Sequence, residues 1–232
     1  LDVKVAGLIF DKDGTLFDFD KTWGVITKTL IETESAHDPA LRDKLAQVLG
    51  FDMKKSVFFP ESIVIASTSH QVAEAILPYT IDRDLSALMD RMTAATASTP
   101  QVQVTDLKTF FDELKASGFA LGIATNDAEG PARANLTAAG VTEVFDFIAG
   151  FDSGFGAKPA AGQLLGFCEQ LKLKPQQCVM IGDSLHDLHA GRAAGMRCVG
   201  VLTGPASRRV LSPHADVILK SIAELPAWLD TL

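Results

Sequence analysis

The stretch GLIFDKDGTLFDFDKTW, Gly7 to Trp23, decides how the chain is read. Gly7–Phe10 suits a buried strand and runs directly into Asp11. Asp11, Asp13, Asp18 and Asp20 then crowd together within one short segment. Carboxylates at a strand end are costly, because burial penalises their charge and like charges repel. Placing them there calls for a countercharge from elsewhere in the fold or from a ligand.

Five further β-like runs follow the first, VKVAGLIF (3–10): FALGIA (119–124), FDFIA (145–149), CVMI (178–181), RCVGV (197–201) and DVIL (216–219). Helical patterns separate them at 106–117, 128–140, 160–171, 185–195 and 222–229. This alternation predicts an α/β fold, a Rossmann-like doubly wound parallel sheet with helices on both faces, in the order 3-2-1-4-5. Gly118, Gly140 and Gly195 sit where helix C-caps are expected. From Phe19 to about Ala97 the rhythm is helical only, with breaks near Pro39, Gly50, Pro60 and Pro78. The expected division is therefore a discontinuous core, 1–18 and 98–232, interrupted by an all-α insertion at 19–97.

The chain has 232 residues, 47% hydrophobic, and a formal charge of −8. That charge argues against a general nucleic-acid or anionic-membrane binder but leaves room for a small anionic ligand. Cys168, Cys178 and Cys198 have no CxxC spacing, so they read as reduced thiols of a cytoplasmic protein. No apolar run approaches a membrane span, and the start of the chain lacks a signal-peptide pattern. The absence of an initiator Met leaves a trimmed N-terminus open. Oligomeric state, monomer or homodimer, is not readable.

Open parallel sheets bind ligands beyond the carboxyl ends of their strands, where the strand order reverses. Three clusters fall at such ends: Asp11-Lys12-Asp13-Gly14-Thr15, Thr125-Asn126-Asp127 and Gly182-Asp183-Ser184-Leu185-His186-Asp187. In the predicted order Asp11, Asp13, Asp183 and Asp187 share one cleft. A divalent cation would relieve their repulsion, and oxygen-only donors suit Mg²⁺.

DKDGT, a strand ending in Thr125, Lys158 before Pro159, and GDSLHD together resemble the four ordered motifs of the haloacid dehalogenase-like hydrolase superfamily. The helical insertion resembles the cap of its phosphoglycolate-phosphatase-like branch. The resemblance implies an Mg²⁺-dependent phosphatase acting on a small phosphorylated metabolite, phosphoglycolate being the first candidate. It makes Asp11 the nucleophile that forms an aspartyl-phosphate, Asp13 the proton donor and acceptor, and Lys158 the fixed cation. Gly14, Thr15, Thr125, Asn126 and Lys158 would bind the phosphoryl group. The metal would be held by the Asp11 carboxylate, the Asp13 main-chain carbonyl and Asp183, with Asp187 direct or through water. A sugar-phosphate phosphomutase, or a catalytically silent binding protein on the same fold, is the alternative. Asp13 argues against dehalogenase and phosphonate chemistry. Phe19, where mutases tend to carry Thr or Ser, counts against the mutase, and Ala161 replaces the usual second proline after Lys158-Pro159. Lys54, Lys55, Arg83, Arg91, His37 and His70 are the insertion's candidates for meeting a second anionic group.

Overall fold

In chain order the elements are β1 (Gly7–Phe10), α1 (Phe19–Glu34), α2 (Pro39–Leu49), β2 (Phe51–Asp52), β3 (Val57–Phe58), α3 (Ile63–Ala66), α4 (Ser69–Ile76) and α5 (Leu85–Ser98). After these come α6 (Leu107–Ala116), β4 (Ala120–Ala124), α7 (Glu129–Ala138), β5 (Phe147–Ala149), α8 (Gly162–Leu171) and β6 (Cys178–Gly182). The chain finishes with α9 (Leu185–Ala194), β7 (Arg197–Val201), α10 (Arg208–Leu211), β8 (Val217–Leu219) and α11 (Leu225–Leu229). This computed structural model describes residues 4–59 and 61–232. Val3, at the head of the first β-like run, and the break expected at Pro60 lie outside them. By internal contacts the chain divides into two compact units, one up to Asp18 and from Gln101 to Leu232, the other Phe19–Pro100.

The first unit is built on a parallel sheet in the order β5-β4-β1-β6-β7-β8, six strands among the described residues. Counting only these strands, that is 3-2-1-4-5 with a sixth, Val217–Leu219, added beyond the fifth. Its pairing with β7 (Val199↔Val217) extends the expected order by one edge strand. β1 is the switch point. Phe10 aligns with Ile123 of β4 on one side and with Ile181 of β6 on the other. The residues just past these three therefore emerge at the same end of the sheet.

Side chains alternate across β1 as a strand requires. Leu8 and Phe10 pack with Phe111, Leu121 and Val179 in one core cluster. Ile9 packs with Ala124, Phe167 and Met180 in another. Both faces are thus covered, which is why the strands read as near-continuous apolar runs. Phe10 also stands edge-on to Phe111, with ring centroids 5.2 Å apart. Asp106 caps α6 by accepting from the Thr109 N–H, and Gly118, Gly140 and Gly195 all take positive φ where the helices stop.

The second unit has its own core, formed by Phe19, Ile31, Leu45, Leu49, Phe58 and Ile76 among others. It departs from the all-α expectation in one place. β2 and β3 form a two-rung antiparallel ladder, Phe51↔Phe58 and Asp52↔Val57. The local cause is Asp52, whose carboxylate accepts from the Lys54 and Lys55 N–H groups and so folds the chain back. The boundary after the insertion falls at Pro100, three residues beyond the expected one, because α5 runs on to Ser98. Where the first unit's chain leaves and returns, its two segments are paired. Asp18 N–H donates to the Val102 carbonyl at 2.8 Å, and Val104 N–H to the Leu16 carbonyl at 3.0 Å.

Candidate active site

Asp11 follows β1 directly and is held by its backbone N–H donating to the Ile181 carbonyl, 2.9 Å away. Its carboxylate is almost wholly buried, at 8% residue exposure. Lys158, from the loop before α8, brings its Nζ to 2.6 Å from an Asp11 oxygen and 2.6 Å from an Asp187 oxygen. One ammonium therefore bridges two carboxylates, one placed by β1 and the other by α9.

Lys158 is itself clamped. The Asn126 side-chain amide donates to the Lys158 carbonyl (2.9 Å) and accepts from the Lys158 N–H (2.8 Å). Asn126 thus places the lysine, using one of its two amide N–H groups. Thr125, buried after β4, accepts from the Asp127 N–H through its hydroxyl. Gln163 holds the Thr125 carbonyl from below by donating its side-chain N–H, 3.0 Å away.

On the β6 side, Asp183 and Asp187 are both buried. Oxygens of Asp11, Asp183 and Asp187 lie within 4.8 Å of one another. Thr15 turns its hydroxyl toward Asp183, 3.4 Å away, and so faces that carboxylate within the cluster. The second oxygen of Asp187 accepts from the Ser184 N–H and hydroxyl, which fixes the start of α9. Gly14 is required twice over. Its φ is +78°, and a Cβ there would run into the Asp183 carboxylate. Gly204, in the loop after β7, presses on the same carboxylate and has no room for a side chain either. Thr203 beside it donates to the Gly14 carbonyl at 2.7 Å.

Asp13 is held by a second buried lysine, while its charge still acts on Asp11. Both its oxygens lie against Lys12 Nζ, at 2.8 and 2.7 Å. Lys12 is buried and also reaches Asn135 at 3.1 Å and Asp127 at 3.5 Å. Lys12 and Lys158 are thus two cations within one charge system, since Asp13 acts on Asp11 and Asp11 on Lys12. Asp20 leaves the group altogether, accepting from the Phe58 N–H within the second unit.

The electrostatics of the cluster are unbalanced. Burial, opposed by Lys158 and reinforced by Asp187, pushes Asp11 up to about 7. Burial, with Asp187 and Asp11, pushes Asp183 well above the usual carboxylate range. Burial alone would lower Lys158, yet Asp11 and Asp187 outweigh it and raise the lysine, which stays charged. One cation thus faces three buried carboxylates. The donor set is all oxygen and under-neutralised, so it fits a hard divalent cation.

Sequence reading missed Lys12, Gln163, Ser184, Thr203 and Gly204. A lysine between two aspartates at a strand end was the available signal for the first. Nothing in the sequence marks the loop after β7, because its role comes from the neighbouring strand. Within the second unit, Arg91 is already committed, forked onto buried Glu34 (2.6 and 2.9 Å) and onto Asp82. His70 pairs with Glu74. His37 and Lys54, by contrast, line a cavity of about 650 Å³ together with Lys28 and Arg42.

The sequence model of the haloacid dehalogenase-like hydrolases matches residues 8–201, which spans Asp11, Lys158 and Asp187. The chain belongs to that family. Among its relatives, the phosphoglycolate phosphatase of Rhodospirillum rubrum is 34% identical over 50% of this chain and 48% of its own length. The chain thus spans about half the length of that relative. The phosphoglycolate phosphatase of Colwellia psychrerythraea is 31% identical over 85% of this chain and 84% of its own. Pyrophosphatase PpaX of Bacillus velezensis is 25% identical over 97% and 96%. Two solved structures illustrate the shared fold. CbbY from Rhodobacter sphaeroides in complex with phosphate has a TM-score of 0.71 at 22% identity, over 97% of this chain and 99% of that one. A hydrolase of this family from Deinococcus radiodurans, with bound phosphate and sodium, has a TM-score of 0.73 at 23% identity, over 99% and 97%. Among the described residues no helix is long and apolar enough to cross a membrane.

Proposed function

We propose that this hydrolase is an Mg²⁺-dependent phosphatase that releases phosphate from a small phosphorylated metabolite through an aspartyl-phosphate on Asp11. The observation that carries the reading is the buried Asp11 carboxylate bridged by Lys158 to Asp187, with Asp13 two positions on.

In the first step an Asp11 oxygen attacks phosphorus, and the bond from phosphorus to the leaving oxygen breaks. Asp13 gives its proton to that oxygen, which departs as the alcohol. In the second step the Asp13 carboxylate takes a proton from water, the water oxygen attacks phosphorus, and the bond to Asp11 breaks. Inorganic phosphate leaves and both aspartates are restored. Lys158 offsets charge on Asp11 and on the phosphoryl oxygens in both steps. Thr125 and the main-chain N–H group of Asn126 orient those oxygens, the Gly14 and Thr15 N–H groups being taken by the Phe17 and Lys12 carbonyls. The metal, held by the Asp11 carboxylate, the Asp13 carbonyl and Asp183, would supply further charge neutralisation at the phosphoryl group, with Asp187 reaching it directly or through water.

Phosphoglycolate is the first candidate substrate, supported by relatives of that name. The likeness to a pyrophosphatase over nearly the whole chain favours a phosphoanhydride as the second. We assign the Phe19–Pro100 unit the role of a cap that selects the leaving group, with His37 and Lys54 among the candidate contacts. The proposed setting is cytoplasmic, where Cys168, Cys178 and Cys198 would stay free thiols. Phosphate release from a panel of phosphometabolites and pyrophosphate, with Mg²⁺ and with EDTA, tests the reading. Release of phosphate from at least one of them in Mg²⁺ alone is expected. No release from any would refute it.

A further inference from the structure

Lys12 stands between the two aspartates of the turn, yet nothing in the proposed chemistry uses it. Its residue exposure is 1%, an expensive place for a lysine. Three residues share its ammonium: Asp13 through both oxygens, Asn135 on α7 through its side-chain oxygen, and Asp127 just before α7. Asp127 is fixed in turn, since its other oxygen accepts from the Ala128 N–H at 2.8 Å. The Lys12 carbonyl also closes the turn by accepting from the Leu16 N–H at 2.9 Å. Asn135 therefore ties Asp13, through one buried cation, to a helix that carries none of the proposed catalytic groups.

We propose that Lys12 is a positioning residue: anchored on Asn135 and Asp127, it holds the Asp13 carboxylate in the orientation needed to pass a proton to the leaving oxygen. The inference rests on the reading of Asp13 as proton donor and acceptor. Asp13 lies two positions beyond the nucleophile and directly before Gly14, and its main chain is fixed by a bridge to Phe17. A two-oxygen contact with one fixed ammonium orients its carboxylate, and misplacement of a catalytic group by about 1 Å can cost on the order of 10²-fold in rate.

The step affected is the first, in which the phosphorus–oxygen bond of the substrate breaks as the Asp11–phosphorus bond forms and the Asp13 proton moves to the departing oxygen. A leaving group that is stable as an anion needs that proton far less. The test is single-turnover release of the leaving group by Lys12→Met, with an alkyl phosphate and with p-nitrophenyl phosphate. The expected result is a loss on the order of 10²-fold for the alkyl phosphate and a much smaller one for the aryl ester. Asn135→Ala, which keeps the lysine, should show the same asymmetry more weakly. If melting shows Lys12→Met unfolded, Asn135→Ala decides. In an Asp13→Asn background neither substitution should cost anything further with the aryl ester, whereas a purely structural role would cost as much there as in the parent. Equal losses on both esters, or additive losses with Asp13→Asn, would overturn the role of Lys12 while leaving the phosphatase reading intact. A parent enzyme that turns over neither ester would overturn both.

Discussion

Lys158 places its ammonium 2.6 Å from Asp11, although 147 positions separate the two residues in sequence. The contact exists because Asn126 grips the Lys158 main chain from the end of β4, while β1 and β4 are paired in register. Removing the lysine leaves Asp11 and Asp187 facing each other with no cation between them. Lys158→Ala should lower turnover by roughly 10²–10³-fold. It should also weaken binding of phosphate mimics such as vanadate. Unchanged steady-state kinetics would return Lys158 to an accessory role.

Metal affinity should depend steeply on pH. Protons compete with the ion for Asp11, pushed up to about 7, and for Asp183, which burial holds well above the usual carboxylate range. Mg²⁺ binding followed by calorimetry should therefore release protons and weaken as pH falls below about 7. Activity should vanish in EDTA and return with Mg²⁺. Ca²⁺ should bind without supporting turnover, since its looser coordination relaxes the compact geometry that in-line attack needs. Affinity independent of pH would contradict the assignment of Asp11 and Asp183 as ligands.

Burial also links the site to stability. The folded metal-free protein keeps a proton on Asp11 that the unfolded chain releases near the ordinary value of 3.8. The folded state then binds more protons between about pH 4 and about pH 7, so stability is greatest below that window and is lost as pH rises through it. Asp183 acts in the same direction. Thermal melts in EDTA should show Tm falling across this range. Asp11→Asn should flatten part of the fall and melt higher than the parent at alkaline pH, by a few degrees. A parent Tm that rises through the window would show that the cluster is not strained without its metal.

Much of this was legible in the chain. The six β-like runs correspond to the six strands of the sheet, because strands covered on both faces must be apolar throughout. Asp11, Thr125, Asp183 and Asp187 were legible as clusters following strands at the switch-point end, and Lys158 only through its resemblance to a family motif. What escaped reading depends on tertiary placement. Asp13 pairs with Lys12, whose ammonium also reaches Asn135 of α7, more than a hundred residues later. Asn126 places Lys158 through its amide, and Gly204 is dictated by Asp183 from another strand. The β2–β3 ladder was lost because its two-residue strands are too short to show periodicity.

The division of labour between the two units is open to direct trial. Asp11, Asp13, Thr125, Lys158 and Asp183 all lie in the unit that excludes Phe19–Pro100. Replacing Phe19–Pro100 by a short linker should leave slow hydrolysis of an aryl phosphate and abolish most discrimination among natural metabolites. The two junction segments are already paired through Asp18–Val102 and Leu16–Val104 hydrogen bonds, which favours folding of the shortened chain. A folded variant with undiminished selectivity would place substrate choice in the core.

The central claim is that Asp11 becomes phosphorylated. Acid-quenched single turnover, followed by mass spectrometry of the peptide carrying Asp11, tests it most directly. The peptide should gain one phosphoryl group at Asp11 within the first turnover and lose it before the next. The gain should be absent in Asp11→Asn and should persist longer in Asp13→Asn, which cannot activate water. Phosphate release at the full rate with no phosphoryl group ever found on Asp11 would contradict the account.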